Sequence, residues 1–320
     1  VSLAGPGGAW PAGPQASTAS RRRVLREAWR CEGHRYTVVL RGLDRRQCDG
    51  GSVDECVQRL ADDGFVNLFD LASFGLAEVR RYEVGAALWA GQWDLAARLL
   101  LTLNRGGDGS PWDGPTAAFN SGDLERGLEL LPAEGAEGPR GLATQLLLGR
   151  PALEAMQKAV PESVWKRHMT AVSRLAWNHA VARRFAEQPA RPLAGDLVWD
   201  AAAGEARPLK ANEVDAWRLS DVVLPLPRPG EHVPECASRL HLESVLRRLV
   251  PGQDAAVSDL PFSTQRFMPA VRRVVGAPCD VSWDLLEAAD SGPLVDCDLR
   301  RLGVDPLQGA AESPAAPRRA

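Results

Sequence analysis

The sequence predicts an α+β protein, on three observations. Tyr36, Val38 and Leu40 alternate with Thr37, Val39 and Arg41, which reads as a strand. A helix over 53–62 then leads into a second alternating stretch around 66–69, giving a β–loop–α–β order. Farther on, 123–190 carries apolar residues at helical spacing, from Leu124 and Leu128 to Trp177, Val181 and Phe185.

Length and composition set the outer bounds. The chain has 320 residues, room for two domains and ample core. Its 45% hydrophobic and 25% charged content is ordinary for a soluble globular protein. A net charge of −3 excludes a global basic field of the kind that announces nucleic acid. Basic residues do come in pairs: Arg80-Arg81, Lys166-Arg167, Arg183-Arg184, Arg247-Arg248 and Arg272-Arg273. Such pairs mark solvated helix faces in most proteins; a shared RNA-facing stripe is the alternative. The six cysteines form no Cys-x-x-Cys and read as reduced, intracellular thiols. His232, Cys236 and His241 lie close in sequence, but without a second ligand cluster no metal is expected. No apolar run reaches membrane-spanning length.

The elements follow in order. Residues 1–30, rich in Gly, Pro, Ala and Ser before Arg21-Arg22-Arg23, read as a disordered linker or a cut end. The strand at 36–41 comes next, and Asp44 beyond it reads as a turn residue. Val53, Cys56, Val57 and Leu60 set the helix 53–62, and Gly64 is placed to stop it. Asp63 to Gly75 is then dense in aromatics and closed by glycine. On a strand, Asn67 and Phe69 share one face and Val66 and Leu68 the other, where the core is expected. An amide beside an aromatic ring suits a base-binding pocket: the amide reads a Watson–Crick edge while the ring stacks. A core strand whose Asn caps a turn uses the same residues.

Residues 82–101 read as two short helices broken at Gly91, and 104–122, rich in Gly, Pro, Asn and Asp, as a loop. Trp177 on its helix reads as core. Asp221–Pro227 reads as a β-edge followed by a Pro-rich turn, 237–249 as a helix, and the chain after Asp298 as a disordered tail.

Several of these stretches, in this order, resemble the TruD family of tRNA pseudouridine synthases. The central stretch is similar to the family's G-x-x-N-Y-F-G-x-Q-R-F-G, with Asn67, Phe69, Phe74 and Gly75 matching. Asp70 stands for a Gly there, Ala72 for the Gln and Ser73 for the Arg. Gly33 to Arg41 resembles G-N-[HR]-F-x-[VI]-x-[LI]-R, with His34 at the Asn. Trp177-Asn178 falls on the W-N of Q-S-x-x-W-N-x-x-x-S-x-R, with Arg184 near its end. Gly195–Val198 matches G-D-L-V, and Asp221–Pro227 matches D-V-V-L-P-L-P. Arg272, Pro278, Ser282 and Trp283 match Y-R-x-I-x-x-R-P-x-x-x-S-W.

The resemblance implies a pseudouridine synthase catalytic domain carrying a mostly helical inserted domain. The catalytic pieces would be 31–99 and 269–300, the insertion 100–268, and 301–320 a disordered tail. It implies that Asn67 and Phe69 bind the substrate uridine, and that Arg35, Arg41 and Arg272 bind RNA. It implies isomerisation of uridine to pseudouridine in tRNA or other structured RNA, with no cofactor, metal or membrane, and with possible ribonucleoprotein partners. It places the protein inside the cell without choosing among nucleus, cytoplasm and mitochondrion. The family's catalytic Asp sits in G-x-K-D-[KR]-x-A-x-T, ahead of the first strand, and nothing before residue 31 resembles that motif. No catalytic residue is therefore assigned, and the chain as it stands is expected to be inactive. The motif substitutions also fit an inactive relative kept for RNA binding or ribonucleoprotein structure, and net acidity fits a protein-interaction scaffold without RNA.

Overall fold

The computed structural model describes residues 36–40, 50–75, 79–102, 109–188, 190–200, 203–251 and 270–284. By its contacts the chain divides into a unit spanning Gln58–Val281 and a second made of Val1–Val57 with Ser282–Ala320. In the second, Trp283 donates its indole Nε1–H to Asp54 Oδ1 at 2.9 Å. Tyr36–Leu40, expected as a strand, takes no regular secondary structure, and Tyr36, Val38 and Leu40 are exposed. Alternation fixes which face a strand buries only where a neighbouring strand exists. No described strand is paired with this run.

Helix α1 (Gly50–Asp63) ends where the sequence places its stop. Gly64 has φ 74°, and its N–H reaches the Leu60 carbonyl at 3.1 Å. Helices α2 (Arg81–Trp89) and α3 (Trp93–Leu101) are separated by Gly91, also left-handed at φ 65°. The loop expected at 104–122 is corrected in part: α4 runs Asp113–Ser121. Pro115 lies in its first turn, where a missing N–H costs nothing, and left-handed Gly122 closes its end. Phe119 then anchors it in the core.

Helices α5 (Leu124–Leu130), α6 (Glu137–Leu147), α7 (Ala152–Ala159) and α8 (Glu162–Glu187) complete the helical layer. Helix α8 has two apolar faces. Trp165, Met169, Val172, Ala176 and Ala180 join Val84, Leu88 and Trp89 of α2 and Leu142 and Met156 in one core. Trp177 and Val181, on the adjacent face, belong to a second core under the sheet, with Val198, Val222, Leu224, Val274 and Val275. Helix α2 lies against α8 so closely that a Cβ at Gly85 would collide with the His168 carbonyl. The expected boundary at 99–100 falls inside the helical core, between residues of α3 that pack in it.

Four antiparallel strands form the main sheet in the order β3-β2-β4-β5. They are β2 (Leu197–Asp200), β3 (Glu205–Pro208), β4 (Val222–Pro225) and β5 (Val271–Arg273). Every residue of β4 is buried. Its Pro225 sits past the end of the β2 pairing, so the absent N–H breaks no ladder bond. A second pair joins β1 (Phe65–Val66) to β6 (Val275–Gly276). Val274 links the two: its N–H donates to the Val222 carbonyl at 3.0 Å and its carbonyl accepts from Asn67 N–H at 2.9 Å. Helix α9 (Arg239–Leu249) packs on α8. Arg184 of α8 and Asp196 form a buried ion pair, Nη2 to Oδ2 2.8 Å, that ties the approach to β2 onto the helix. Among the described residues no helix is long and apolar enough to cross a membrane, and no group of three metal-ligating side chains forms.

Candidate functional site

The site is built where β1, β5 and α8 meet. Beyond Val66 the strand stops: the Leu68 N–H turns back onto the Val66 carbonyl at 2.9 Å, a three-residue turn. Asn178, on α8, then grips the next residue at both backbone groups. Its Oδ1 accepts from Phe69 N–H and its Nδ2 donates to Phe69 C=O, each at 2.9 Å. One side-chain amide thus does the work of a neighbouring strand.

That grip orients Phe69 against Trp177, edge to face, with centroids 5.5 Å apart and planes at 76°. Arg272 of β5 lies over the same ring, its Cζ 4.0 Å from the centroid. Its Nε and Nη2 donate to the Asn67 carbonyl at 3.1 and 3.0 Å, and Nη2 also to Asn67 Oδ1 at 2.5 Å. Asn67 Nδ2 in turn donates to the Arg273 carbonyl at 3.1 Å. Arg174, one turn before Asn178 on α8, brings a second guanidinium to within 5.0 Å of the Phe69 centroid. It donates to the Ser73 hydroxyl at 3.3 Å.

Asp70 caps the short 3-10 turn Leu71–Ser73, its Oδ1 accepting from Ser73 N–H and hydroxyl. Burial lowers the Arg174 pKa; Asp70 opposes that shift and Arg81 adds to it. Burial, then Arg174, lowers that of Arg272. Both guanidiniums stay charged at neutral pH. Neither forms an ion pair with a described carboxylate.

The structure corrects the expected direction of the strand. Val66 and Leu68, expected to face the core, are 41% and 47% exposed. Asn67 and Phe69 are the more enclosed pair, and Phe69 packs against the sheet core. The core lies beneath Asn67 and Phe69 because α8 supplies Trp177 and Asn178 on that side, while β1 is too short to impose alternation past Val66. The Phe69 ring already carries a guanidinium, and the Asn67 amide is held by β5. Arg272 joins both residues at the site. Arg35 and Arg41 lie outside the described residues.

The family model for TruD, tRNA pseudouridine synthase D, matches residues 18–223. The chain belongs to the TruD family. A pseudouridylate synthase 7 homolog of Mus musculus is 26% identical over 287 residues, covering 87% of this chain and 41% of that protein. The multisubstrate pseudouridine synthase 7 of Schizosaccharomyces pombe is 25% identical over 224 residues, 61% of this chain and 32% of that one. A crystal structure assigned as tRNA pseudouridine synthase D of Methanosarcina mazei shares the fold, with a TM-score of 0.57 and 16% identity. It covers 70% of this chain and 55% of that one. The chain spans about two fifths of the length of the mammalian relatives it matches.

Two motif departures meet in space. The TruD-family pattern given above has Arg at the position of Ser73 and Ser at the position of Arg174. Here the two residue types are exchanged, and they are hydrogen-bonded to one another. Sequence reasoning saw the loss at 73 and missed the gain at 174. The available signal was its spacing: Arg174, Trp177 and Asn178 fall on one face of α8.

Proposed function

We propose that this chain binds uridine-containing RNA at the Asn67–Phe69–Arg272 site, as part of a TruD-type pseudouridine synthase acting inside the cell on tRNA or another structured RNA. One observation carries the reading. Two arginines converge on an aromatic ring that is fixed to α8, next to an amide held by β5. Cations on an aromatic platform suit a flipped nucleotide and its phosphates. In this reading 31–99 and 269–300 belong to the catalytic domain and 100–268 to the family's insertion. Arg35 and Arg41 extend the RNA contact, and ribonucleoprotein partners are compatible with it.

We infer further that residues 1–320 alone do not isomerise uridine. No stretch of the sequence matches the family's catalytic Asp motif, and loss of an essential base or nucleophile costs orders of magnitude in rate. The test is retention of a structured tRNA across a salt series, with pseudouridine measured in the recovered RNA. Salt-sensitive binding at micromolar protein without pseudouridine supports both statements. Undetectable or salt-independent binding refutes the first. Pseudouridine above background refutes the second and makes Asp44 and Asp70 the carboxylates to mutate.

A further inference from the structure

Two like charges share one phenyl ring here, and neither makes a direct ion pair with a described carboxylate; Asp70 is the acidic group that acts on Arg174. Arg174 comes from α8 and Arg272 from β5, so neither is placed by the other. Their guanidinium carbons lie 5.0 and 4.0 Å from the Phe69 centroid. Both are half-buried, which weakens solvent screening and strengthens their repulsion. Arg272 is anchored by the Asn67 carbonyl and amide. Among the described residues Arg174 makes one long hydrogen bond, 3.3 Å to the Ser73 hydroxyl. The carboxylate facing it, Asp70, spends one oxygen on the Ser73 N–H and hydroxyl.

Such a pair is unfavourable when empty and becomes favourable when an anion neutralises it. A neutral uracil ring gains little from two cations. A phosphodiester gains from each: Arg174 has a guanidinium fork to offer to phosphate oxygens, and Arg272, whose Nε and Nη2 are engaged by Asn67, adds its Nη1 and its charge. We propose that Arg174 is a phosphate-binding residue of this site, acting with Arg272 on a backbone phosphate at the nucleotide held near Phe69. The assignment rests on the RNA-binding reading above. Phe69 is then chiefly the plate that positions both guanidiniums, through its ring face, and Asn178 sets that plate.

The test compares the wild-type chain with Arg174→Ala, and with Arg174→Gln, which keeps most of the stem if the alanine variant fails to fold. Two readouts are needed. The first is the salt dependence of binding to a uridine-containing single-stranded RNA. Loss of one phosphate contact lowers the magnitude of the log–log slope by about 0.7. The second is the melting temperature with and without inorganic phosphate. We expect phosphate to stabilise the wild type and not the variants, and the variants to melt no earlier than wild type without phosphate. If wild type binds RNA and the variants keep its salt slope, Arg174 is not a phosphate ligand, although the RNA reading stands. If no RNA binds but phosphate still stabilises wild type alone, the anion site stands and the RNA reading fails. If the variants melt early and phosphate changes nothing, Arg174 is a structural prop and the proposal is overturned.

Discussion

Truncating Phe69 and truncating Leu68 have opposite ranks in this structure from those that strand alternation assigns. Phe69→Ala removes a ring packed on the sheet core, an edge-to-face partner of Trp177 and the surface under two guanidiniums. A fully buried Phe→Ala costs about 3–5 kcal/mol, and half-burial brings that to about 1.5–2.5. The aromatic pair adds about 0.5–1.5 kcal/mol, for a total of about 2–4 kcal/mol. Leu68 is 47% exposed, so Leu68→Ala forfeits only part of a leucine's burial, about 0.5–1 kcal/mol. At about 2–4 °C per kcal/mol for a unit of this size, the two variants should melt several degrees apart, Phe69→Ala first. Thermal unfolding followed by circular dichroism measures both. A Leu68→Ala variant that melts as early as Phe69→Ala, or earlier, refutes the inverted orientation and with it the pocket built on it.

Two further outcomes follow from buried ionisable groups. His168 is 2% exposed, and its ring nitrogens find no hydrogen-bond partner among the described residues. Burial, then Arg81 and Arg167, bring its pKa from 6.5 to about 4. The unfolded chain therefore binds a proton that the folded chain refuses between about pH 6.5 and 4, so stability falls as pH drops through that window, by about 3 kcal/mol in all. Unfolding midpoints measured at pH 7 and pH 4.5 should converge in His168→Leu relative to wild type; an unchanged pH dependence removes His168 as its source. Arg184→Met leaves Asp196 buried without its cation and should cost about 3–5 kcal/mol, read by urea unfolding. A cost under 1 kcal/mol would mean that Asp196 is hydrated or protonated once the arginine is gone.

Local chemistry made much of the fold legible. Gly64 and Gly91 stop helices where they stand because both adopt φ near +70°, which glycine alone takes freely. The apolar spacing of α8 was readable; Val222–Pro225, expected as a β-edge, is instead a buried inner strand because β2 and β5 flank it. What failed depended on partners distant in sequence. Tyr36–Leu40 has the pattern of a strand, but no described strand pairs with it. Asp113–Ser121 has the composition of a loop, yet Phe119 holds it as a helix, and Gly127 lets the α5 backbone meet that ring where a Cβ would overlap it. Leu68 faces outward because Asn178, 109 positions from Phe69, pulls the next residue the other way. Arg174 stayed hidden for the same reason: its role is set by Ser73, 101 residues earlier.

The Asn67–Arg272 bond carries a consequence for the order in which the molecule acquires its parts. The two residues are 205 positions apart, and the pairing of β1 with β6 spans a similar distance. Closing so long a loop is entropically costly until much of the intervening chain is compact. Helices α2 to α8 bury their shared core through nearer contacts and can form while synthesis continues. During elongation Phe65 to Phe69 must wait, half of a clasp whose other half has not left the ribosome. A nascent chain that stops before Val271 would carry the helices, the Asn178 grip and Arg174, yet would have no β5 to close over Phe69. The Asn67–Arg272 clasp therefore closes only after β5 is available, and Phe69 gains its Arg272 contact at that step.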